Sequence, residues 1–262
     1  MSTEHKLPSL VPVSNADEHT AQGGLSGGRI ALLSGVGAVL LVLAGFAVAG
    51  SPPNESASVG TIVAYYGDHT AAQTTSGVLL SLGALLFLIF ASTLAAHVRT
   101  RLSGPSPASA LCIAGLSVLA AGLTVYAGLA IAIADVAGHV DGAALQALNV
   151  LADGPVFIFL VTIGTSAFLL GAAAASLVTT LLPRWLGWLA VVFAVIGAIP
   201  SHVFGGTLDH IGLLAFLGIG FWTLVSSVYL ARSNPSPSPG HEGLRGTTLR
   251  HGSSPSEPAR RG

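Results

Sequence analysis

The chain of 262 residues is 52% hydrophobic and only 8% charged, with 33 glycines, whereas a soluble domain carries about 25% charged residues. So little charge cannot clothe a water-facing globule, and a mean hydropathy of +0.76 points to lipid as the main solvent. A formal net charge of −1 leaves no basic surplus for nucleic acid, and the lone Cys112 has no partner for an internal disulfide.

Residues 1–28 are rich in Ser, Gly, Pro and charge and lack periodicity, which predicts a disordered tail. Six apolar runs follow, and a crossing helix needs roughly 20 such residues. The first, 30–49, is entered from Arg29 and closed by Gly50, Ser51, Pro52 and Pro53. The second, 75–96, ends at His97, Arg99 and Arg101. The third, 108–134, starts behind Ser106 and Pro107, a cap residue followed by proline at the first helical position, and ends at Asp135. The fourth starts on Asp153 and Pro155 and runs to Leu182. The fifth covers 186–204 and the sixth 211–231. Residues 232–262 collect Ser-Pro repeats and then Arg245, Arg250, Arg260 and Arg261, a second disordered tail. In hydrocarbon a helix satisfies its own backbone, so these runs predict helices and exclude isolated strands. The expected fold is all-α, a polytopic transmembrane bundle of six helices spanning residues 29–231.

Lys and Arg in short loops stay on the cytoplasmic side. Arg29, Arg99, Arg101, Arg184 and Arg232 fall at ends that six crossings place together, while Glu55, Asp68, Asp135, Asp141, Asp153 and Asp209 fall in the opposite loops. Both termini are therefore expected in the cytoplasm. Ala47, Val48 and Ala49 also form the small-x-small pattern of a signal-peptidase site. The apolar core before them exceeds the 7–15 residues or so of a signal peptide, which favours a retained first helix.

Two outer loops carry helical faces of their own. Val59, Ile62, Val63 and Tyr66 have i, i+3, i+4, i+7 spacing, and Ala144, Leu145, Leu148 and Leu151 repeat the idea. Each predicts a short interfacial helix on the outer surface. Packing inside lipid relies on small residues. The candidate seams are Ala110, Ala114, Ser117 and Ala121 in the third span, Ala167, Gly171 and Ala175 in the fourth, and Ala190, Ala194 and Ala198 in the fifth. Trp185 and Trp188, with Tyr65 and Tyr66, suit the headgroup region.

No acidic or basic side chain falls mid-span, which weighs against a pump, a charged filter or a proton relay. The outer rim is the one place where chemistry-bearing residues gather. Asp68, His69, Asp135, His139, His202 and His210, beside Asp141, Asp153 and Asp209, are the carboxylate and imidazole set that a divalent metal would use. Asp135 and His139 would share one side of a continuing helix. Apart from such a metal, the sequence asks for no cofactor. Thr162, Thr165, Ser166, Thr124 and Tyr126 would line a polar cleft between the third and fourth spans, the feature a neutral-solute transporter needs, unless those hydroxyls bond their own helices. Phosphate loops, dinucleotide fingerprints and C-x-x-C sites are absent.

Leu182-Pro183-Arg184-Trp185-Leu186-Gly187-Trp188 and Val63-Ala64-Tyr65-Tyr66-Gly67-Asp68-His69, the latter before a span ending in Arg99 and Arg101, resemble segments of uncharacterised multi-pass membrane proteins of actinobacteria, a domain-of-unknown-function group. The resemblance implies a six-helix plasma-membrane protein and supplies no activity. The reading with most support is a non-enzymatic membrane protein with a structural, accessory or interaction role. Its partners are the bilayer and another membrane protein, a further copy of the chain included. The alternatives are a metal-dependent hydrolase or ligand-binding protein using the outer Asp/His set, and a transporter of a neutral solute.

Overall fold

A computed structural model describes residues 18–54, 56–153, 155–179, 181–199 and 209–233, with side chains for all of these except 18–29, 153, 155, 156 and 209–213. Among the described residues there are eight helices and no strand: α1 Glu18–Ala49, α2 Val59–Asp68, α3 Thr70–Arg101, α4 Pro107–Val136, α5 Gly142–Asp153, α6 Pro155–Val178, α7 Arg184–Ala198 and α8 Asp209–Ser233. Residues 18–28, expected within the N-terminal tail, continue α1 as helix; adding a residue to a helix that already exists costs far less than nucleating one. Residues 1–17, 200–208 and 234–262 lie outside the described residues.

Local chemistry sets the ends. α4 starts on a capping box in which Ser106 and Ser109 each accept the other's backbone N–H, with Pro107 in the first turn. α1 stops where Gly50 takes φ +75°, a left-handed conformation that glycine reaches without steric cost. Asp141 accepts the N–H of Ala143 as α5 begins, at 3.2 Å.

Five helical stretches are long and apolar enough to cross a membrane: Ile30–Ala49, Thr70–Arg101, Pro107–Val136, the run Gly142–Val178 containing α5 and α6, and Leu214–Ser233. Of the expected fifth span, 186–204, residues 200–204 lie outside the described residues, and the helix described there is short. α7 has 15 residues, about 22 Å at 1.5 Å per residue, against a hydrocarbon core of about 30 Å.

The helices form a closed ring. α1 packs on α3, α3 on α4, α4 on α6, α6 on α7, α7 on α8, and α8 returns to α1. Each neighbouring pair is antiparallel, as the contacts show: Gly45 meets Leu80, Gly77 meets Ile131, Gly171 meets Cys112, Gly187 meets Ser176, Gly218 meets Phe193, and Gly220 meets Val39. α2 and α5 stand apart from the ring and pack on each other over the C-terminal end of α4, through Ile62, Tyr66, Ile133, Ala134, Leu145 and Ala152.

The ring is apolar on both sides. Leu80, Phe90, Leu116, Phe168 and Trp222 are fully buried, yet Leu40, Leu85, Phe159 and Val195 are each more than half exposed. An exposed apolar belt running around long helices is the surface of a protein solvated by lipid tails.

The seams differ in part from those the sequence suggested. Ala110, Ala114, Ser117 and Ala121 all lie on the exposed side of α4. The face that packs on α6 instead carries Gly115 and Gly122, seven residues apart, opposite Gly164 and Gly171 at the same spacing. A Cβ on Gly115 would collide with the backbone nitrogen of Phe168, and one on Gly171 would sit 2.8 Å from the Cys112 nitrogen and the Ala108 oxygen. In α6, Gly171 and Ala175 are buried as expected and Ala167 is half-buried; in α7, Ala190 and Ala194 are buried but Ala198 is exposed, with Gly187 and Gly197 completing the packed face.

The approach at Gly115 brings Phe168 into the centre of the ring. Its ring packs edge-on against Phe90 of α3 and Trp222 of α8, with centroids 6.4 and 5.4 Å away. Trp222 in turn donates its indole N–H to the Leu186 carbonyl of α7 at 3.0 Å, and Phe90 lies against Gly35 of α1. Gly115→Ala should therefore lower stability by about 1–3 kcal/mol, the range for overpacking. Unfolding in detergent measures it, and Ala114→Leu on the exposed side of the same turn should change stability by less than about 0.5 kcal/mol.

Candidate functional site

The end of the ring where α1 and α4 finish holds most of the candidate residues, and its shape follows from a helix end that must satisfy its own carbonyls. α1 ends at Ala49, which is buried, and the last carbonyls of a helix have no intrahelical donor. The Ala49 carbonyl accepts the phenol O–H of Tyr65 from α2. It also accepts Gln73 Nε2 from α3 at 3.1 Å, and Gln73 Nε2 donates as well to the Tyr65 hydroxyl at 3.3 Å. Four residues later, Asn149 Nδ2 of α5 donates to the carbonyls of Asn54 and Pro53, at 3.1 and 3.4 Å. The irregular segment after α1 is thus pinned at both ends by buried side-chain amides.

The amide donors are used but the amide acceptors are not. Gln73 Oε1 and Asn149 Oδ1 are buried without a hydrogen-bond partner. Neither residue stood out in the sequence. The available signal is an amide on the apolar face of a short helix: Asn149 falls four residues after Leu145 and three before Ala152, all on one buried face.

The two short helices α2 and α5 compare differently with their expected faces. In α2, Ile62 and Tyr66 are buried, and Val59 and Val63 are half-buried, as the spacing predicts. In α5 the buried face is Leu145, Asn149 and Ala152, whereas Ala144 and Leu151 are exposed. The face is rotated because α5 turns toward α2 and toward the carbonyls of Pro53 and Asn54. Of the two tyrosines expected in the headgroup region, Tyr65 serves this cap and Tyr66 is buried in the apolar cluster between α2, α4 and α5. Trp185 and Trp188 are 55% and 62% exposed at the start of α7, as an interfacial anchor would be.

The Asp/His set is spread over the rim. His69 closes α2, with Nδ1 2.8 Å from the Tyr65 carbonyl and its ring stacked on Tyr65 at 4.5 Å. Asp68 beside it is exposed, as are Asp135 and His139. Asp135 and His139 do not share a helix, because α4 ends at Val136 and Gly138 turns the chain with φ +87°. His202 lies outside the described residues, and His210 is in the first turn of α8 with its side chain not described. Among the described residues no three of His, Cys, Asp and Glu come together to hold a metal ion.

The space between α4 and α6, where the hydroxyls would line a cleft, is closed by the glycine contacts. Thr124 bonds the Ala120 carbonyl of its own helix at 2.8 Å, and Thr162 bonds that of Phe159 at 3.2 Å. Tyr126 stacks on Phe157, centroids 4.6 Å apart. Thr165 and Ser166 are buried with hydroxyls that have no partner; Ser166 faces Gly197 of α7. Compared with models of protein families, with curated proteins and with solved structures, the chain matches none.

The chemistry available at the cap is structural: two amides and a phenol hold backbone carbonyls. Burial pushes the pKa of Tyr65 up, while its hydrogen bond with Gln73 pulls it partly back. A raised phenol pKa means the folded state holds the proton more tightly. That contribution is whole below pH about 10 and is lost as pH rises through the raised value. Alkaline unfolding followed in detergent should show Tyr65→Phe losing less stability than the natural chain above pH about 10. At neutral pH, Tyr65→Phe and Gln73→Leu should each cost about 1 kcal/mol. Their combination should cost more than the sum, since only then is the Ala49 carbonyl stranded.

Proposed function

We propose that this protein is a six-span integral protein of the bacterial plasma membrane, both termini cytoplasmic, with a non-enzymatic role as a structural, accessory or interaction component. One observation carries the reading. The antiparallel ring brings the C-terminal ends of α3, α6 and α8 to the same end as the N-terminal ends of α1, α4 and α7. Arg29, Arg99, Arg101, Arg184 and Arg232 all belong to that end, and Asp68, Asp135 and Asp141 to the other. Short flanking segments rich in arginine are retained in the cytoplasm.

α7 is the sixth crossing in this reading. It lies antiparallel between α6 and α8, with Gly187 on Ser176, Gly197 on Ser166, and Phe193 on Gly218. Its outward residues Trp188, Val192 and Val195 are apolar and exposed. A bilayer accommodates a short span by thinning locally and by the pull of flanking Arg and Trp side chains. The bacterial plasma membrane rests on the resemblance to actinobacterial proteins carried by residues 63–69 and 182–188. The non-enzymatic role rests on the absence of acidic and basic residues from the span interiors and on the use of the buried cap polar groups for backbone contacts.

Cysteines introduced singly into a Cys112→Ala background test the reading in intact cells. A membrane-impermeant maleimide should label cysteines at positions 68 and 139 at once, and those at 103 and 233 only after permeabilisation. Labelling of position 233 from outside would remove the sixth crossing, and labelling of position 103 from outside would reverse the orientation.

A further inference from the structure

The ring of helices is not equally tight all round. Between α1 and α8, with Phe87 of α3 as its floor, lies a cleft of about 210 Å3, lined by Val39, Val42, Phe87, Phe216, Leu217, Gly220 and their apolar neighbours. No lining residue is polar. Two features open it. Gly220 has no side chain where its neighbours Phe216, Leu217, Phe221 and Leu224 project, so the wall of α8 recedes at that turn. Ala215, Trp222 and Thr223 of α8 are buried in the bundle, on α7 and against Gly35, which leaves Leu217 and Phe221 to overhang the gap.

We infer that this cleft is a binding site for the distal half of a phospholipid acyl chain. The inference rests on the reading of the chain as membrane-spanning. Three observations select hydrocarbon from the bilayer as occupant. Leu43, Leu217 and Phe221 line the cleft and are also 44%, 48% and 51% exposed, so the cleft continues inward from the lipid-facing belt without a polar rim. Val39, Val42 and Leu43 stand midway along the apolar stretch Ile30–Ala49, and Phe87 stands midway along α3, which is where acyl chains rather than headgroups are found. Purely apolar cavities of about 150 Å3 stay dry and take up hydrocarbon, and this one is larger. A polar solute would find no hydrogen-bond partner on its walls.

The geometry also supplies the means to close it. A Cβ on Gly220 would lie 3.6 Å from Val39 Cγ1, an ordinary contact, so Gly220→Leu fills the cleft without meeting backbone. Leu217→Trp, at an exposed position on the rim, covers the mouth without disturbing the interior.

The test uses the full chain in phosphatidylglycerol and phosphatidylethanolamine vesicles containing a phospholipid with a diazirine in the distal half of one acyl chain. Adducts are mapped after illumination by mass spectrometry. Expected is an excess of adducts on residues 39–43 and 216–224 over the exposed belt residues Leu85 and Val195, by about fivefold, the ratio given by roughly 1 kcal/mol of preference. Gly220→Leu, and independently Leu217→Trp, should bring the cleft down to the belt level while Leu85 and Val195 stay labelled. Equal labelling of cleft and belt overturns the inference. So does protection of the cleft together with cross-linking of two chains through it, which would make a second copy the occupant. Absence of label from belt and cleft alike would instead overturn the membrane reading beneath it.

Discussion

Lipid removes the usual guide to which face of a helix turns inward. Leu85 and Leu80 stand on the same helix, one more than half exposed and the other fully buried, and hydrocarbon is as good a solvent for one as for the other. The fold must then be decided by how closely backbones can approach. Gly115 and Gly122 on α4 against Gly164 and Gly171 on α6 supply the closest approach. Phe168 reaches the centre of the ring because Gly115 has no side chain, and from there it touches Phe90 and Trp222. Through Gly35 against Phe90 and the Trp222 bond to Leu186, all six helices of the ring meet at that level. Dispersion contacts are individually small, but a buried aromatic makes dozens of them.

The cap over the end of α1 solves a second problem set by the same solvent. Backbone that leaves a helix near hydrocarbon must find donors within the protein. Ala49, Pro53 and Asn54 find theirs in Tyr65, Gln73 and Asn149. The short helices α2 and α5 thus tie the end of α1 to α3 and α4, and their packing on each other closes the ring at one end. Within the ring, the buried hydroxyls of Thr165, Ser166, Thr223 and Ser227 have no hydrogen-bond partner, whereas those of Ser176 and Ser226 bond carbonyls of their own helices.

Much of this was legible in the sequence wherever a local rule decides. Ser106-Pro107 announced the start of α4, Gly50 the end of α1, and Val59, Ile62, Val63 and Tyr66 the inward face of α2. The packing seams were legible only in part. Ala and Gly fill these helices so densely that rows of small residues occur on every side, and the row Ala110, Ala114, Ser117, Ala121 lies on the outside. The face of α5 was hidden for a different reason: an asparagine lies on it between Leu145 and Ala152, held by the distant carbonyls of Pro53 and Asn54. The expected pairing of Asp135 with His139 assumed a helix that continues, and Gly138 ends it. The end of α7 did have a sequence signal that the apolar run concealed: Pro200 disfavours a helical Ile199, and α7 stops at Ala198.

The central claim is that the exposed apolar belt faces lipid, and spin labels placed singly around α3 in reconstituted vesicles measure it most directly. Labels at positions 78, 82, 85 and 89 should show high accessibility to oxygen and low accessibility to a water-soluble nickel complex. Labels at the buried positions 80, 84, 87 and 91 should be reached poorly by both. If the nickel complex collided freely with labels at positions 82 and 85, water and not lipid would solvate that face, and the account would be contradicted.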